Sequence, residues 1–190
     1  MDVDEPEKVE EMPDHVDEAE EDVSEMEELL ETASSLPEGA QQIEPLLKVI
    51  NMKENDGPKA TQLKERAVYD VTRAYCAAKQ YDDVVQFLTG EAGQDFLTTI
   101  TKAKTAKVVR QVLDIVCTAA PEALDMQETV ARNIIAWTEA EKRSFLRQRV
   151  EAKLASILFA QQKYSDALEL CNELLRELKK LDDKQLLVET

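Results

Sequence analysis

Residues Ser144 to Leu181 read SFLRQRVEAKLASILFAQQKYSDALELCNELLRELKKL, and their spacing decides the fold. Leu146, Val150, Leu154, Ile157 and Leu158 fall three or four apart, the period of one helical face. After a polar break, Tyr164, Ala167, Leu168, Cys171, Leu174, Leu175, Leu178 and Leu181 form a second stripe of the same period. Ser165 is the expected cap of this second helix. Asp166 falls in its first turn and Lys179 and Lys180 in its last, each charge favourable to the helix dipole. Small Ala155 and Ala167 allow two backbones to come close. A helix pair cannot bury two such stripes by itself, so the pattern implies neighbours of the same kind.

One neighbour is legible by shifting the pair back 83 positions. Val71 to Ala78 then lies over Leu154 to Gln161, and Tyr81-Asp82-Asp83-Val84-Val85 over Tyr164-Ser165-Asp166-Ala167-Leu168. The shared form is an apolar helix, a polar two-residue break, a tyrosine, an acidic helix start and an apolar pair. It is similar to the tetratricopeptide layout, with Leu154-Ala155, Tyr164 and Ala167 at degenerate key positions. A spacing of 83 is about two repeats of roughly 40 residues. A further helix pair is therefore expected between them.

Composition agrees. Four glycines, six prolines and 5% aromatic residues leave few turns and few strand formers in 190 residues. The formal charge of −17 is uneven: residues 1–38 hold 17 acids and one lysine, and the remaining residues are nearly neutral. That balance gives no support to nucleic-acid binding. Cys76, Cys117 and Cys171 lie in helical patterns without a Cys-x-x-Cys, which fits core thiols in a reducing compartment. The first apolar residues are isolated among acids, unlike a signal peptide. No apolar run approaches the roughly 20 residues of a membrane span. A soluble intracellular protein is expected.

Along the chain, residues 1–37 read as a disordered acidic tail in which like charges repel, with Met26, Leu29 and Leu30 forming at most a transient turn. It is either a solvated extension or a segment that docks on a basic partner. Ile43 to Ile50 reads as a short helix with Pro45 near its first turn. Asn55-Asp56-Gly57-Pro58 breaks the chain. Helices are then expected over Ala60–Gln80 and Asp82–Thr89, the latter ended by Gly90 and loosened by Gly93. Asp95–Ile100 reads as a short helix or the start of the next. Lys102–Thr118 has Val108, Val109, Val112, Leu113, Ile115 and Val116 inward. Another helix opens at Pro121 and runs to about Glu141. Asp182 begins a further helix.

The sequence offers no catalytic constellation. His15 stands alone in the acidic segment, and a base needs a packed site around it. There is no phosphate loop and no metal-ligand spacing. Asp82-Asp83 and Asp182-Asp183 fall at helix starts, where the dipole explains them. Trp137 and Phe145 read as core anchors. No cofactor and no metal site is expected. The basic residues are more informative. Lys104, Lys107 and Gln111 step along the face opposite the valines, flanked by Lys102 and Arg110. Lys142, Arg143, Arg147, Arg149 and Lys153 form a second group that is not one patch. Lys102, Lys104, Lys107 and Arg110 are either a solvated face or a docking surface for an acidic protein partner. Aromatic residues are not interleaved with them, which weakens an RNA reading further.

Three segments carry a family resemblance: Thr138 to Gln148 (TEAEKRSFLRQ), Leu174 to Lys184 (LLRELKKLDDK) followed by Leu186 to Glu189, and Thr101 to Lys104 with Val108-Val109-Arg110 and Leu113-Asp114. They resemble a lid subunit of the proteasome regulatory particle, in the PCI family. The likeness runs over roughly residues 40 to 190. It implies a right-handed α-solenoid of stacked antiparallel helix pairs over residues 38–190, ending before a winged-helix module. It also implies a non-catalytic scaffold of the cytoplasm and nucleus. The partners implied are other lid subunits, proteasomal ATPase subunits and a core-particle alpha subunit, with no nucleic acid and no membrane. Other scaffolds of the family, of signalosome or initiation-factor type, and a tetratricopeptide adaptor for peptide tails are the alternatives.

Overall fold

The computed structural model describes residues 22–52 and 57–181, and these fold into an all-helical array. The helices are α1 (Ser24–Ser35), α2 (Ala40–Asn51), α3 (Pro58–Ala77), α4 (Tyr81–Thr89) and α5 (Glu91–Thr99), then α6 (Lys102–Ala119), α7 (Leu124–Ala140), α8 (Ser144–Ala160) and α9 (Tyr164–Leu181). Neighbours in sequence pack as pairs: α1 with α2, α2 with α3, α7 with α8, and α8 with α9. Two contacts link the array lengthwise. Helix α3 packs on α6, and α4 packs on α7. The result is an α-solenoid with one continuous apolar core running from Val23 to Ala167. Leu174 and Leu178 form a separate small cluster against Ala152. The expected helix from Asp182 lies outside the described residues.

The valine face of α6 and the Leu146 stripe of α8 are buried as expected. The α9 stripe is buried only in part. Ala167, Leu174 and Leu178 are inside, whereas Tyr164 and Leu168 are 51% and 64% exposed. Phe145, expected in the core, is 65% exposed, because it lies on the outer side of the first turn of α8. Ser165 is not a cap: α9 already begins at Tyr164, and the Ala167 amide donates to the Lys163 carbonyl. Pro121 does not open α7 either. It lies in a turn between Ala120 and Ala123, closed by an amide–carbonyl bond of 3.1 Å.

The larger correction concerns the acidic segment. Residues 1–21 lie outside the described residues, but α1 is a packed helix and not part of a disordered tail. Charge repulsion does not prevent it, because Glu25, Glu27, Glu28 and Glu31 all face outward. Met26, Leu30 and Ala33 form a buried stripe on the other side, against α2. The α1–α2 connection is clasped by Gln42, whose amide donates to the carbonyls of Ala33 (3.0 Å) and Leu36 (3.2 Å). Gly39, at φ 126°, makes the reversal there, a conformation an L side chain strains to adopt. Pro45 sits in the second turn of α2, not the first, since the helix starts at Ala40. Gly93 does not loosen its helix. A Cβ there would stand 2.3 Å from the Phe87 carbonyl oxygen, so glycine is what lets α5 fold back against α4.

The 83-residue shift holds at the level of the backbone. Lys79 and Gln162, matched by the shift, both have left-handed φ, 57° and 62°. Each is the pivot of the same helix end. Lys79 N–H donates to Cys76 O and Gln80 N–H to Tyr75 O; Gln162 N–H donates to Phe159 O and Lys163 N–H to Leu158 O. These are the paired bonds of a Schellman end, which satisfy the last carbonyls of the helix and reverse the chain at once. A third copy closes α7: Lys142 has φ 55°, and the Lys142 and Arg143 amides donate to Glu139 O and Thr138 O. None of the three pivots is glycine. The left-handed conformation costs an L residue roughly 1–2 kcal/mol, partly offset by glycine's extra freedom in the unfolded chain. Lys142→Gly and Gln162→Gly are each expected to raise unfolding free energy by about 0.5–1 kcal/mol, as read by urea denaturation.

Polar contacts tie these turns to other parts of the array. Tyr81 Oη donates to Glu122 (2.9 Å), and Lys163 Nζ pairs with Glu128 of α7 (2.7 Å). Lys163, assisted by Arg132 and Gln161, outweighs burial and holds the Glu128 carboxyl down to about 2. A carboxylate with a depressed folded pKa stabilises fully above its unfolded value and loses that contribution as it is protonated. The Glu128 contribution is thus expected to fade between pH 4.5, its ordinary value, and about 2. Glu128→Gln should flatten that part of a stability–pH curve measured by chemical denaturation.

Candidate functional site

Helix α6 is capped by Thr101, whose hydroxyl oxygen accepts from the Lys104 amide (3.4 Å). Its inward face carries Thr105, whose hydroxyl donates to the carbonyls of Leu97 (3.1 Å) and Thr101 (3.0 Å), and then the valines. That face meets α3 and α7, so helical geometry turns Lys102, Lys104, Lys107 and Arg110 to the outside. All four cations named from spacing are exposed.

They are not equivalent. Lys107 Nζ reaches Glu65 of α3 at 2.9 Å. The same carboxylate accepts from Tyr69 Oη at 2.7 Å. Burial pushes the Glu65 carboxyl up, but Lys107 and Tyr69, with Lys104 further off, bring it below its ordinary value. Lys107 therefore helps to hold α6 on α3. Arg110 donates through Nε to the Ala106 carbonyl (3.1 Å) and has no acidic partner among the described residues. The Lys102 carbonyl accepts from Arg143 (3.4 Å), whose guanidinium lies 4.8 Å from the centre of the Trp137 ring.

The structure adds residues that spacing along one helix could not bring in. A groove of about 500 Å³ runs between α6 and α8. Lys107 and Arg110 line one wall, Arg149 and Lys153 the other, with Leu113, Val150 and Ala152 as the apolar lining between them. Lys153 pairs with Asp114 at 3.2 Å. Arg149 has no acidic partner among the described residues. Lys102 and Lys104 lie outside this groove, about a turn nearer the start of α6. Of the second basic group, Arg147 is withdrawn from solvent instead. It is 22% exposed and bridges Glu151 (2.8 Å) and Glu177 (2.6 Å) between α8 and α9. What remains is a positive groove with two guanidiniums free to take carboxylates in their planar, two-pronged geometry.

Two of the thiols, Cys76 and Cys117, are held in their unreactive form. Burial, and then the Glu122 charge, pushes Cys76 up to about 11, and burial raises Cys117 as well. Among the described residues no group of three or more His, Cys, Asp and Glu could hold a metal ion. Nor is any described helix long and apolar enough to cross a membrane.

Fold and groove define an all-helical repeat protein with a positively charged groove between α6 and α8. The family is then given by comparison. The family of the 26S proteasome regulatory subunit RPN6 N-terminal domain matches residues 20–161, and the chain belongs to it. It is 41% identical to the 26S proteasome non-ATPase regulatory subunit 11 homolog of Arabidopsis thaliana over 135 residues, which is 71% of this chain and 32% of that protein. It is 34% identical to the probable 26S proteasome regulatory subunit rpn6 of Schizosaccharomyces pombe, over 75% of this chain and 33% of the relative. With the probable regulatory subunit rpn-6.1 of Caenorhabditis elegans it shares 31% identity over 85% of this chain and 36% of the relative. The chain spans about a third of the length of these relatives. The match bears out the lid-subunit resemblance and begins at residue 20, near the start of α1.

The two α6 cations separate structure from surface. Lys107→Ala removes an inter-helix ion pair and is expected to cost up to about 1 kcal/mol. Arg110→Ala should stay within about 0.5 kcal/mol. Denaturation of both variants at low and high salt checks the order, and only the Lys107 effect should shrink with salt.

Proposed function

We propose that this chain is a non-catalytic scaffold segment of the proteasome regulatory particle lid. It clamps lid and ATPase ring to the proteolytic core, and so supports 26S assembly and ubiquitin-dependent degradation. The observation that carries the reading is the match of residues 20–161 to a regulatory-subunit domain. The relatives' printed names, regulatory and in part non-ATPase, agree. Partners are other lid subunits, ATPase subunits and a core alpha subunit, met in cytoplasm and nucleus. No cofactor takes part.

The edge of Lys102, Lys104, Lys107 and Arg110, continued by Arg149, is the docking surface in this reading. Its chemistry fits an acidic face on the partner. Interface charges set encounter rate and orientation more than affinity, so one substitution shows little. Reversal of Lys107 would also place two carboxylates together at Glu65. The test therefore reverses Lys102, Lys104 and Arg110 to Glu in the full-length protein. Native-gel separation of assembled and free core particles should show weaker association, more so at low salt, with helix content unchanged by circular dichroism. Unchanged assembly in the triple variant would place the docking surface elsewhere.

A further inference from the structure

The opposite charge appears at the other end of the array. Helices α1, α2 and α4 frame an open groove of about 880 Å³, with Tyr75 of α3 in its lining. Its lining includes half-buried Leu29, Ile43, Leu47 and Met52. These side chains pack on the core from one side and leave the other uncovered. The rim is acidic. Glu25 stands on α1, Glu44 on α2 and Asp83 on α4. Lys48, the one cation among the described lining residues, is taken up by Glu44 at 2.9 Å. Glu25 and Asp83 have no basic partner among the described residues.

We propose that this groove binds an amphipathic helix of a protein partner, with leucine-like residues on one face and lysine or arginine flanking them. Three observations fix that chemistry. The lining takes apolar side chains, and α1 and α2, at 12 residues each, are about 18 Å long, enough for about three turns of a docked helix. The unneutralised carboxylates stand on two different framing helices, α1 and α4, so a peptide with cations along both flanks of its apolar stripe is suited to both. Residues 1–38, which lead into and include α1, carry a formal charge of −16, and their field favours approach of a basic segment and opposes an acidic one. This inference is independent of the α6 edge, and either can fail alone.

The test uses the full chain and a fluorescein-labelled 14-residue peptide of leucine and lysine, with leucines at helical spacing. A scrambled isomer of equal charge is the control for loose attraction to the acids of residues 1–21. The amphipathic isomer should bind at least tenfold more tightly by anisotropy. It should also shift the methyl NMR signals of Leu29, Ile43, Leu47 and Met52. Glu25→Lys with Asp83→Lys should weaken binding at least tenfold at low salt and much less at high salt, with circular dichroism unchanged. Equal binding of the two isomers, or methyl shifts that map outside the groove, overturns the proposal. The methyl map decides the matter even where a variant fails to fold.

Discussion

Each helix in this array has an apolar stripe that only the next helix can cover, and the rest of the structure follows from that dependence. Most of the stability of such a helix comes from packing of its apolar face rather than from its own propensity. Helix α8 shows the limiting case. Leu146, Val150 and Leu154 are buried, but so are Gln148, Glu151 and Ala155, because α7 and α9 close on it from two sides. Such mutual cover requires neighbouring helices to run antiparallel at short range. The Schellman ends at Lys79, Lys142 and Gln162 achieve this with two bonds each and no loop to order. Stripe and turn are thus one device, since the reversal sets the phase in which one stripe meets the next.

That device explains what the sequence disclosed. The α6 valines and the Leu146 stripe were legible because a helix buried on one side shows its period directly. The 83-residue shift was legible because an apolar helix, a tyrosine, an acidic helix start and an apolar pair recur at matching positions. The pivots themselves were hidden, for none is glycine and lysine or glutamine signals no turn. Helix α1 was missed for another reason. Composition averages the two sides of a helix, so four outward glutamates hid Met26, Leu30 and Ala33 on the inner side. Phe145, Tyr164 and Leu168 failed in the reverse sense. Tyr164 and Leu168 keep the helical period and Phe145 is a large apolar residue, yet all three stay more than half exposed, because neither period nor size says which apolar side chain a neighbour covers.

The docking surface was half legible for a similar reason. Spacing placed Lys104, Lys107 and Arg110 on the outer face of α6, which is a property of one helix. Whether a cation there is available depends on what the adjacent helices bring. Glu65 of α3 takes up Lys107, Asp114 takes up Lys153, and Arg149 joins Arg110 across the groove. Arg110 and Arg149, without an acidic partner among the described residues, line the groove between α6 and α8, and Glu25 and Asp83, without a basic one, line the groove at α1 and α4.

The α8–α9 contact shows a second use of charge. Helix α9 buries few apolar side chains, chiefly Ala167, Leu174 and Leu178. Contacts so sparse hold a helix without fixing its position along its neighbour. Arg147 supplies the missing constraint by bridging Glu151 on its own helix and Glu177 on α9, while Gln148 Nε2 donates to the same Glu177 oxygen (3.2 Å). Burial raises the Glu151 carboxyl; Arg147 opposes the shift, and the Glu177 and Glu139 charges add to it. The pair is thus not a large source of stability, as expected where desolvation offsets attraction. Sliding α9 by one turn would part Glu177 from Arg147, leaving it only Glu151, and would leave the Gln148 amide without its partner. Buried groups so stranded cost more than the paired arrangement gains. The polar contact therefore selects one register for a helix that apolar contacts alone leave free to slide.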